Sequence, residues 1–274
     1  MTYPANFYII DDNIFPTEEF KISELEKGIS IYEVVKVINN VPLFFEEHLN
    51  RLHKSAKIKD LRIWLNDESI LKSIQKIIKV NNIKNGRLKF ALRYHYSGNK
   101  LFCFFLENIT PKPEVYKIGI KIISENIERA NPNAKVINYK LRKLVHDNKK
   151  KENVFETLLI SNSGKITECS KSNIFFIKDE LVYTSLSKDI LKGITRDYIF
   201  NICKQKNITL VEKDIFKNEI EYFDAAFISG TSIGVLAVNQ INSKLFSVNN
   251  KTLNTISDNY FSIVNKYIFN AINY

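Results

Sequence analysis

Apolar and polar positions in the first hundred residues follow two alternating periods. From Ile31 to Ile38 the pattern repeats every second residue, which predicts a strand: Tyr32, Val34, Lys36 and Ile38 share one face, and Ile31, Glu33, Val35 and Val37 the other. Asn39-Asn40 supplies a turn, and Val41 to Phe45 reads as the returning hairpin partner. From about Glu46 the period lengthens. Leu49, Leu52 and Ala56 fall on one helical stripe, and Ile70, Ile74, Ile77 and Ile78 predict a second helix between Glu68 and Val80. After Asn85-Gly86 comes an aromatic-rich hairpin, Leu88 to Tyr96 and Lys100 to Glu107, turning at Ser97-Gly98-Asn99. Thr110-Pro111-Lys112-Pro113 is the candidate domain boundary.

Beyond it the pattern predicts a strand from Lys117 to Ile123 and a helix from Pro132 to about Lys151. Strands are expected near Glu156 to Ile160, Ser172 to Ile177 and Leu181 to Tyr183. Gly193-Ile194-Thr195-Arg196 introduces a helix with the stripe Tyr198, Ile199, Ile202 and Cys203. Ala225 to Ile228 reads as a buried strand ending in Ser229-Gly230-Thr231-Ser232, and Leu253 to Ile272 as an amphipathic tail helix. The expectation is an α+β chain: a small domain over residues 1–110, a linker over 111–117 and a larger domain over 118–274.

Composition narrows the class. With 274 residues, 45% hydrophobic and 26% charged, the chain is globular rather than disordered or collagen-like. No apolar run approaches the roughly 20 residues of a membrane span. No secretory signal is visible at the N-terminus. The three cysteines form no CxxC, which makes a cytoplasmic protein without disulfides the expectation. The net charge of +10 raises a basic nucleic-acid binder as an alternative, but the lysines interleave with 30 acidic residues and the run Lys149-Lys150-Lys151 is broken at once by Glu152. A solvated helix end is the better reading, and the positive balance suits anionic metabolites.

The four histidines, His48, His53, His95 and His146, lie in different elements without an HExxH or paired cysteines, so no metal site is expected. GxSxG, Walker A and GxGxxG patterns are missing. What remains suits a phosphate: Gly193-Ile194-Thr195 just before a helix, where backbone N–H groups and the helix dipole favour an anion, and the hydroxyl-rich turn Ser229-Gly230-Thr231-Ser232.

The block Thr167-Glu168-Cys169-Ser170-Lys171-Ser172-Asn173-Ile174-Phe175, followed by Leu191-Lys192-Gly193-Ile194-Thr195-Arg196, resembles the signature of fold-type IV pyridoxal-phosphate enzymes. That family holds D-amino-acid and branched-chain aminotransferases and 4-amino-4-deoxychorismate lyases. Tyr32-Glu33-Val34-Val35-Lys36-Val37, Glu47-His48-Leu49-Asn50-Arg51-Leu52 with Ser55-Ala56, and Phe227-Ile228-Ser229-Gly230-Thr231 resemble three further segments of the family in the same order. The resemblance spans about residues 28 to 245. It implies a small α/β N-terminal domain, a larger barrel-like β C-terminal domain with helices, pyridoxal 5'-phosphate between them, and a homodimer.

The resemblance also implies roles. Lys135, 21 residues before Glu156 and in a Lys-x-x-Asn setting, matches the lysine that bonds the cofactor, with Lys140 and Lys143 as rivals farther along. Glu168 matches the carboxylate facing the pyridine nitrogen, where a fixed negative charge keeps the ring an electron acceptor. Arg51, Gly193, Ile194, Thr195, Thr231 and Ser232 match phosphate-binding positions. Tyr32 matches a substrate-carboxylate tyrosine of D-amino-acid aminotransferases. Arg93-Tyr94-His95 is similar to their Arg-x-His pair but displaced along the strand. Alternation would put Arg93 and His95 on one face, as carboxylate ligands or as solvent-facing residues of a hairpin. The implied activity is transfer of an amino group from an amino acid to a 2-oxo acid. The alternative is the lyase, which releases pyruvate and 4-aminobenzoate, since Thr167-Glu168-Cys169 resembles some lyases.

Overall fold

A computed structural model of the chain describes residues 4–273. It contains two compact units. The first takes the chain up to Ile109, together with Ala134–Tyr139 and the stretch from Val264; the second takes Thr110–Asn133 and Lys140–Ile263. The expected larger domain over 118–274 is therefore not one continuous stretch. Segment 134–139, which carries Lys135, packs with the first unit.

The first unit is built on an antiparallel sheet of β1 (Phe7–Ile10), β2 (Asn13–Pro16), β3 (Ile29–Ile38), β4 (Val41–Pro42), β5 (Gly86–Tyr94) and β6 (Lys100–Leu106), in the order β2-β1-β6-β5-β3-β4. Two helices, α1 (Phe45–Ile58) and α2 (Asp67–Asn81), follow the periodicity. The buried residues of α1, Phe45, His48, Leu49, Leu52, Ser55 and Ala56, recur at three and four positions and pack with Ile31, Val35 and Val37 of β3. Asn66 caps α2 by accepting from the Ser69 N–H at 2.8 Å. The expected strand from Val41 to Phe45 stops at Pro42, because Phe44 turns the chain with a left-handed backbone (φ 53°) directly into α1. The opposite face of the sheet carries Tyr32, Ala91, Phe102 and Phe104 against Tyr8, Phe20 and Leu25.

The second unit opens with α3 (Pro113–Ile118), which occupies most of the expected linker and the start of the expected strand at Lys117. Pro113 stands at the first helical position, where its fixed φ is favourable. Gly119 ends the helix at φ 75°, and β7 (Ile120–Asn126) begins only there. The helix expected from Pro132 is α4 (Tyr139–Glu152), seven residues late. Ala134 to Ile137 instead lie beside β3, turning tightly at Lys135 where the Val136 N–H donates to Ala134 O at 3.0 Å: Val136 bridges Ile31, and the Ile137 N–H donates to Ser30 O at 2.9 Å. Pairing with the open edge of β3 outweighs the local helical pattern.

The remaining elements are β8 (Glu156–Ile160), β9 (Lys165–Cys169), β10 (Asn173–Lys178), β11 (Leu181–Thr184), α5 (Ile194–Gln205), β12 (Leu210–Glu212), β13 (Ile215–Phe216), β14 (Ala225–Gly230), β15 (Gly234–Ile241), β16 (Lys244–Leu245) and α6 (Lys251–Asn273). The strands form one sheet in the order β12-β11-β10-β14-β15-β7-β8-β9-β13, with β16 on β15. Sequence periodicity does not mark β9 or β15. One carries a buried glutamate, and the other is a mostly buried run without alternation. No helix of the described residues is long and apolar enough to cross a membrane.

Candidate active site

In the first unit β3 presents two neighbouring residues to opposite sides. Glu33 is fully buried on the helix face, where Arg51 grips it with Nε to Oε1 at 2.7 Å and Nη2 to Oε2 at 2.6 Å. His48, one turn before Arg51 on α1, donates from Nδ1 to Oε2 at 2.7 Å. Burial by itself would push the Glu33 carboxyl up, but the charge and hydrogen bonds of Arg51, helped by His48, hold it well below the usual carboxylate range. Burial pushes the His48 imidazole down, against the attraction of Glu33 and with the repulsion of Arg51 and Lys135.

Tyr32 faces the other side of the sheet. Its N–H donates to the carbonyl of Lys135 at 3.0 Å, and the Lys135 ammonium lies 4.9 Å from the centre of its ring. The Lys135 N–H donates to Ser55 Oγ at 3.0 Å, and the Ser55 hydroxyl donates to the Arg51 carbonyl at 2.9 Å. Lys135 is thus pinned by its main chain to the strand of Tyr32 and to the helix of Arg51. Its rivals, Lys140 and Lys143, are exposed residues of α4.

Arg93 and His95 do not share a strand face. Strand β5 ends at Tyr94, so alternation stops before His95. The half-buried His95 lies within 2.7 Å of Ser97 Oγ through Nδ1 and belongs to the turn, whose Gly98 N–H donates to its carbonyl at 3.0 Å. Arg93 is 2% exposed, pairs with Glu24 at 3.2 Å and donates to Gly98 O. The sequence reading also missed Lys89, a buried lysine of β5 whose ammonium lies 4.9 Å from the centre of the same Tyr32 ring. No local signal marks it, because the β3–β5 pairing that sets Lys89 opposite Val34 joins strands separated by two helices.

In the second unit Glu168, at the inner end of β9, is 3% exposed and receives Arg129 Nη1 on Oε1 at 2.6 Å. Its other oxygen accepts the Leu191 N–H at 3.3 Å, and the Leu191 carbonyl accepts from Asn173 Nδ2 at 3.0 Å. Gly193 follows as the N-cap of α5. A Cβ there would stand 2.1 Å from Asn173 Oδ1, so any larger residue would push the Asn173 side chain aside. The amides of Ile194 and Thr195 occupy the first turn, where a helix leaves N–H groups without intrahelical acceptors. The Thr195 hydroxyl lies 3.1 Å from Tyr260 OH, and when it accepts from that phenol it keeps its own proton for an anion. Thr231 and Ser232, both half-buried, form the tip of a turn closed by the Ile233 N–H on Gly230 O at 3.0 Å.

Among the described residues, the buried hydroxyl of Ser229 has no hydrogen-bond partner, and that of Ser172 has only the Cys169 thiol beside it. Ser229 stands opposite Asn173 in the β10–β14 register, and a Cβ on Gly230 would lie 3.9 Å from that of Ser172. A buried hydroxyl without a partner, a helix N-terminus and a small-residue turn match the oxygens of a phosphate. A buried carboxylate fixed by an arginine matches a protonated ring nitrogen.

The family model for class IV amino-transferases matches residues 30–241. The chain belongs to this family, whose members are pyridoxal-phosphate enzymes of fold type IV. It is 27% identical over 277 residues to a probable branched-chain-amino-acid aminotransferase of Rickettsia conorii, covering 93% of this chain and 94% of that one. It is 28% identical over 231 residues to a D-alanine aminotransferase of Listeria monocytogenes, covering 78% of each. The fold matches a branched-chain amino acid aminotransferase from T.th. solved with pyridoxamine 5'-phosphate, at a TM-score of 0.85 and 20% identity over 97% of this chain and 96% of that one. It also matches the branched-chain aminotransferase of Thermoproteus uzoniensis, at a TM-score of 0.82 and 21% identity over 96% and 95%. The protein is an aminotransferase that works with pyridoxal 5'-phosphate, moving an amino group from an amino acid to a 2-oxo acid. The relatives described above are not named as lyases.

Proposed function

We propose that Lys135 is the amine that bonds the cofactor and that Glu168 is the partner of its pyridine nitrogen. Arg51, the N-terminal turn of α5 (Gly193, Ile194 and Thr195) and the turn at Thr231 and Ser232 take the phosphate. When bound, the cofactor supplies an electron sink for the bonds at the substrate's Cα. Lys135 Nζ holds the cofactor in place and then carries a proton at that carbon. Glu168, kept in line by Arg129 and the Leu191 amide, keeps a negative charge fixed where the sink needs it. Tyr32, whose ring lies 4.9 Å from Lys135 Nζ, borders the substrate. The substrates are an aliphatic amino acid and its 2-oxo acid, in keeping with relatives named for branched-chain amino acids and for D-alanine. The working unit is a homodimer, which light scattering of the purified protein checks.

One observation carries this reading: Lys135 is half-buried over Tyr32 with its main chain tied to Ser55 and Tyr32, whereas Lys140 and Lys143 are exposed. Borohydride reduction of the cofactor-loaded protein followed by peptide mapping should find the pyridoxyl group on Lys135. An adduct on Lys140 or Lys143 would refute the assignment.

A further inference from the structure

Helix α6 carries Tyr260, 1% exposed, behind the two pieces of the second unit that suit a phosphate. Its hydroxyl lies 3.1 Å from Thr195 Oγ1 in the first turn of α5. Its ring lies against the other piece, the turn between β14 and β15. A Cβ on Gly234 would stand 3.3 Å from Tyr260 Cε1 and 2.8 Å from Phe261 Cζ, so both rings abut the start of β15. Tyr116 of α3 backs the same turn. Its hydroxyl donates to the Ile233 carbonyl at 2.7 Å, and its ring meets that of Phe261 edge-on with centres 5.7 Å apart. Tyr260 itself is flanked by Phe261 at 5.7 Å and Tyr198 at 6.5 Å between ring centres. The ring is held on several sides, which fixes where its hydroxyl points.

The direction of the Tyr260–Thr195 contact decides what Thr195 can do. A hydroxyl has one proton to give and two lone pairs with which to accept. If Thr195 donates to the phenol, it offers an anion only lone pairs. If the phenol donates, the Thr195 proton is left for the anion, and each hydrogen bond polarises the next. Burial pushes the Tyr260 phenol well above the ordinary tyrosine value, against a smaller pull from the Thr195 contact, so it keeps a proton to give. An anion at the start of α5 selects the second arrangement, because the amides there already draw negative charge.

We propose that Tyr260 is a positioning residue of the cofactor site: its phenol donates to Thr195 Oγ1 and so directs the Thr195 proton to the phosphate. This rests on the assignment of the α5 N-terminus to the phosphate.

The test titrates the full chain with pyridoxal phosphate and with pyridoxal, which lacks the phosphate. Tyr260→Phe keeps the ring and deletes the hydroxyl, whereas Thr195→Val keeps the shape and deletes the acceptor. Tyr260→Phe should weaken pyridoxal phosphate about three- to tenfold, the range for one neutral hydrogen bond, and leave pyridoxal within about twofold. Thr195→Val should weaken pyridoxal phosphate by more, since the contact with the anion itself is lost, and Tyr260→Phe added to it should weaken it no further. Unchanged affinities in Tyr260→Phe overturn the proposal, as does equal weakening of both ligands or a full additional loss in the double variant. Unchanged pyridoxal phosphate affinity in Thr195→Val removes Thr195 from the phosphate site and the proposal with it. A loss in Thr195→Val without one in Tyr260→Phe removes Tyr260 alone. If Tyr260→Phe does not fold, nuclear magnetic resonance of the wild-type protein with isotope-labelled tyrosine rings carries the test. The Tyr260 hydroxyl proton should move downfield when pyridoxal phosphate binds and not when pyridoxal binds, and an equal response to the two overturns the proposal.

Discussion

In the first unit Glu33 is enclosed by two nitrogens of Arg51 and one of His48, whereas the second unit keeps the hydroxyl of Ser229 buried with no partner among the described residues. The first cluster closes a buried charge from within its own fold and leaves His48 Nε2 unanswered. The second unit likewise pairs Glu168 with Arg129, and leaves a hydroxyl unanswered beside a helix N-terminus. Internal pairing fixes geometry, since the fork from Glu33 sets the direction of Arg51. An unanswered hydroxyl leaves bonding capacity for an incoming group.

Removing one partner of the closed cluster should have the largest effect. Glu33→Gln leaves Arg51, 13% exposed at its side chain, beside a neutral amide. Breaking one side of such a buried pair costs about 3–5 kcal/mol. Thermal or urea unfolding should show that loss. A wild-type melting temperature would mean that Glu33 does not organise the first unit.

In the second unit, Glu168→Gln also breaks a buried pair, leaving Arg129, 17% exposed at its side chain, beside a neutral amide, so it should lower stability as well and, in the folded protein, reduce turnover. The ring nitrogen loses an anionic partner worth about 1.5–3 kcal/mol, hence about ten- to a hundredfold in kcat, with cofactor affinity changed less. Steady-state kinetics at full cofactor occupancy checks this. Wild-type kcat would remove Glu168 from its proposed place.

Acid sharpens the contrast with a smaller effect. His48 is held below its ordinary value, so the folded state binds its proton less readily than the unfolded state. Its contribution is complete above pH of about 6.5 and is lost as pH falls from there toward the folded value. Glu33, also lowered, adds a further loss as pH falls below about 4.3. Stability measured against pH should therefore decline first near neutrality, and His48→Gln should remove that first decline while keeping a donor to Glu33. An identical profile in the variant would show that His48 does not carry the linkage.

The smallest expected change is in the open region. Ser229→Ala deletes a buried hydroxyl without a partner, so the cofactor-free protein should gain up to about 1 kcal/mol. Affinity for pyridoxal phosphate should fall several-fold while affinity for pyridoxal, which lacks the phosphate, holds. A loss of apo stability would indicate that the hydroxyl is already satisfied by the fold.

The sequence by itself determined the two-period layout of the first unit. Alternation from Ile31 to Ile38 and the stripes of α1 and α2 depend on local repeats, which a lone chain displays. The phosphate-suited turns at Gly193 and Thr231 were legible as short-range chemistry, whereas Arg51 and Glu168 stood out only through their resemblance to the family's ordered segments. Tertiary structure decided the rest. Ala134 to Ile137 became a partner of β3, not the first turn of a helix, since the open edge of β3 offered hydrogen bonds that a local pattern cannot reveal. His95 left the strand face because the hairpin turn claimed it, and Lys89 came to share a ring with Lys135 across a sheet register. Arg129 met Glu168 from 39 residues away. Contacts between residues far apart in the chain are set by which strands pair, and no period in the sequence carries that information.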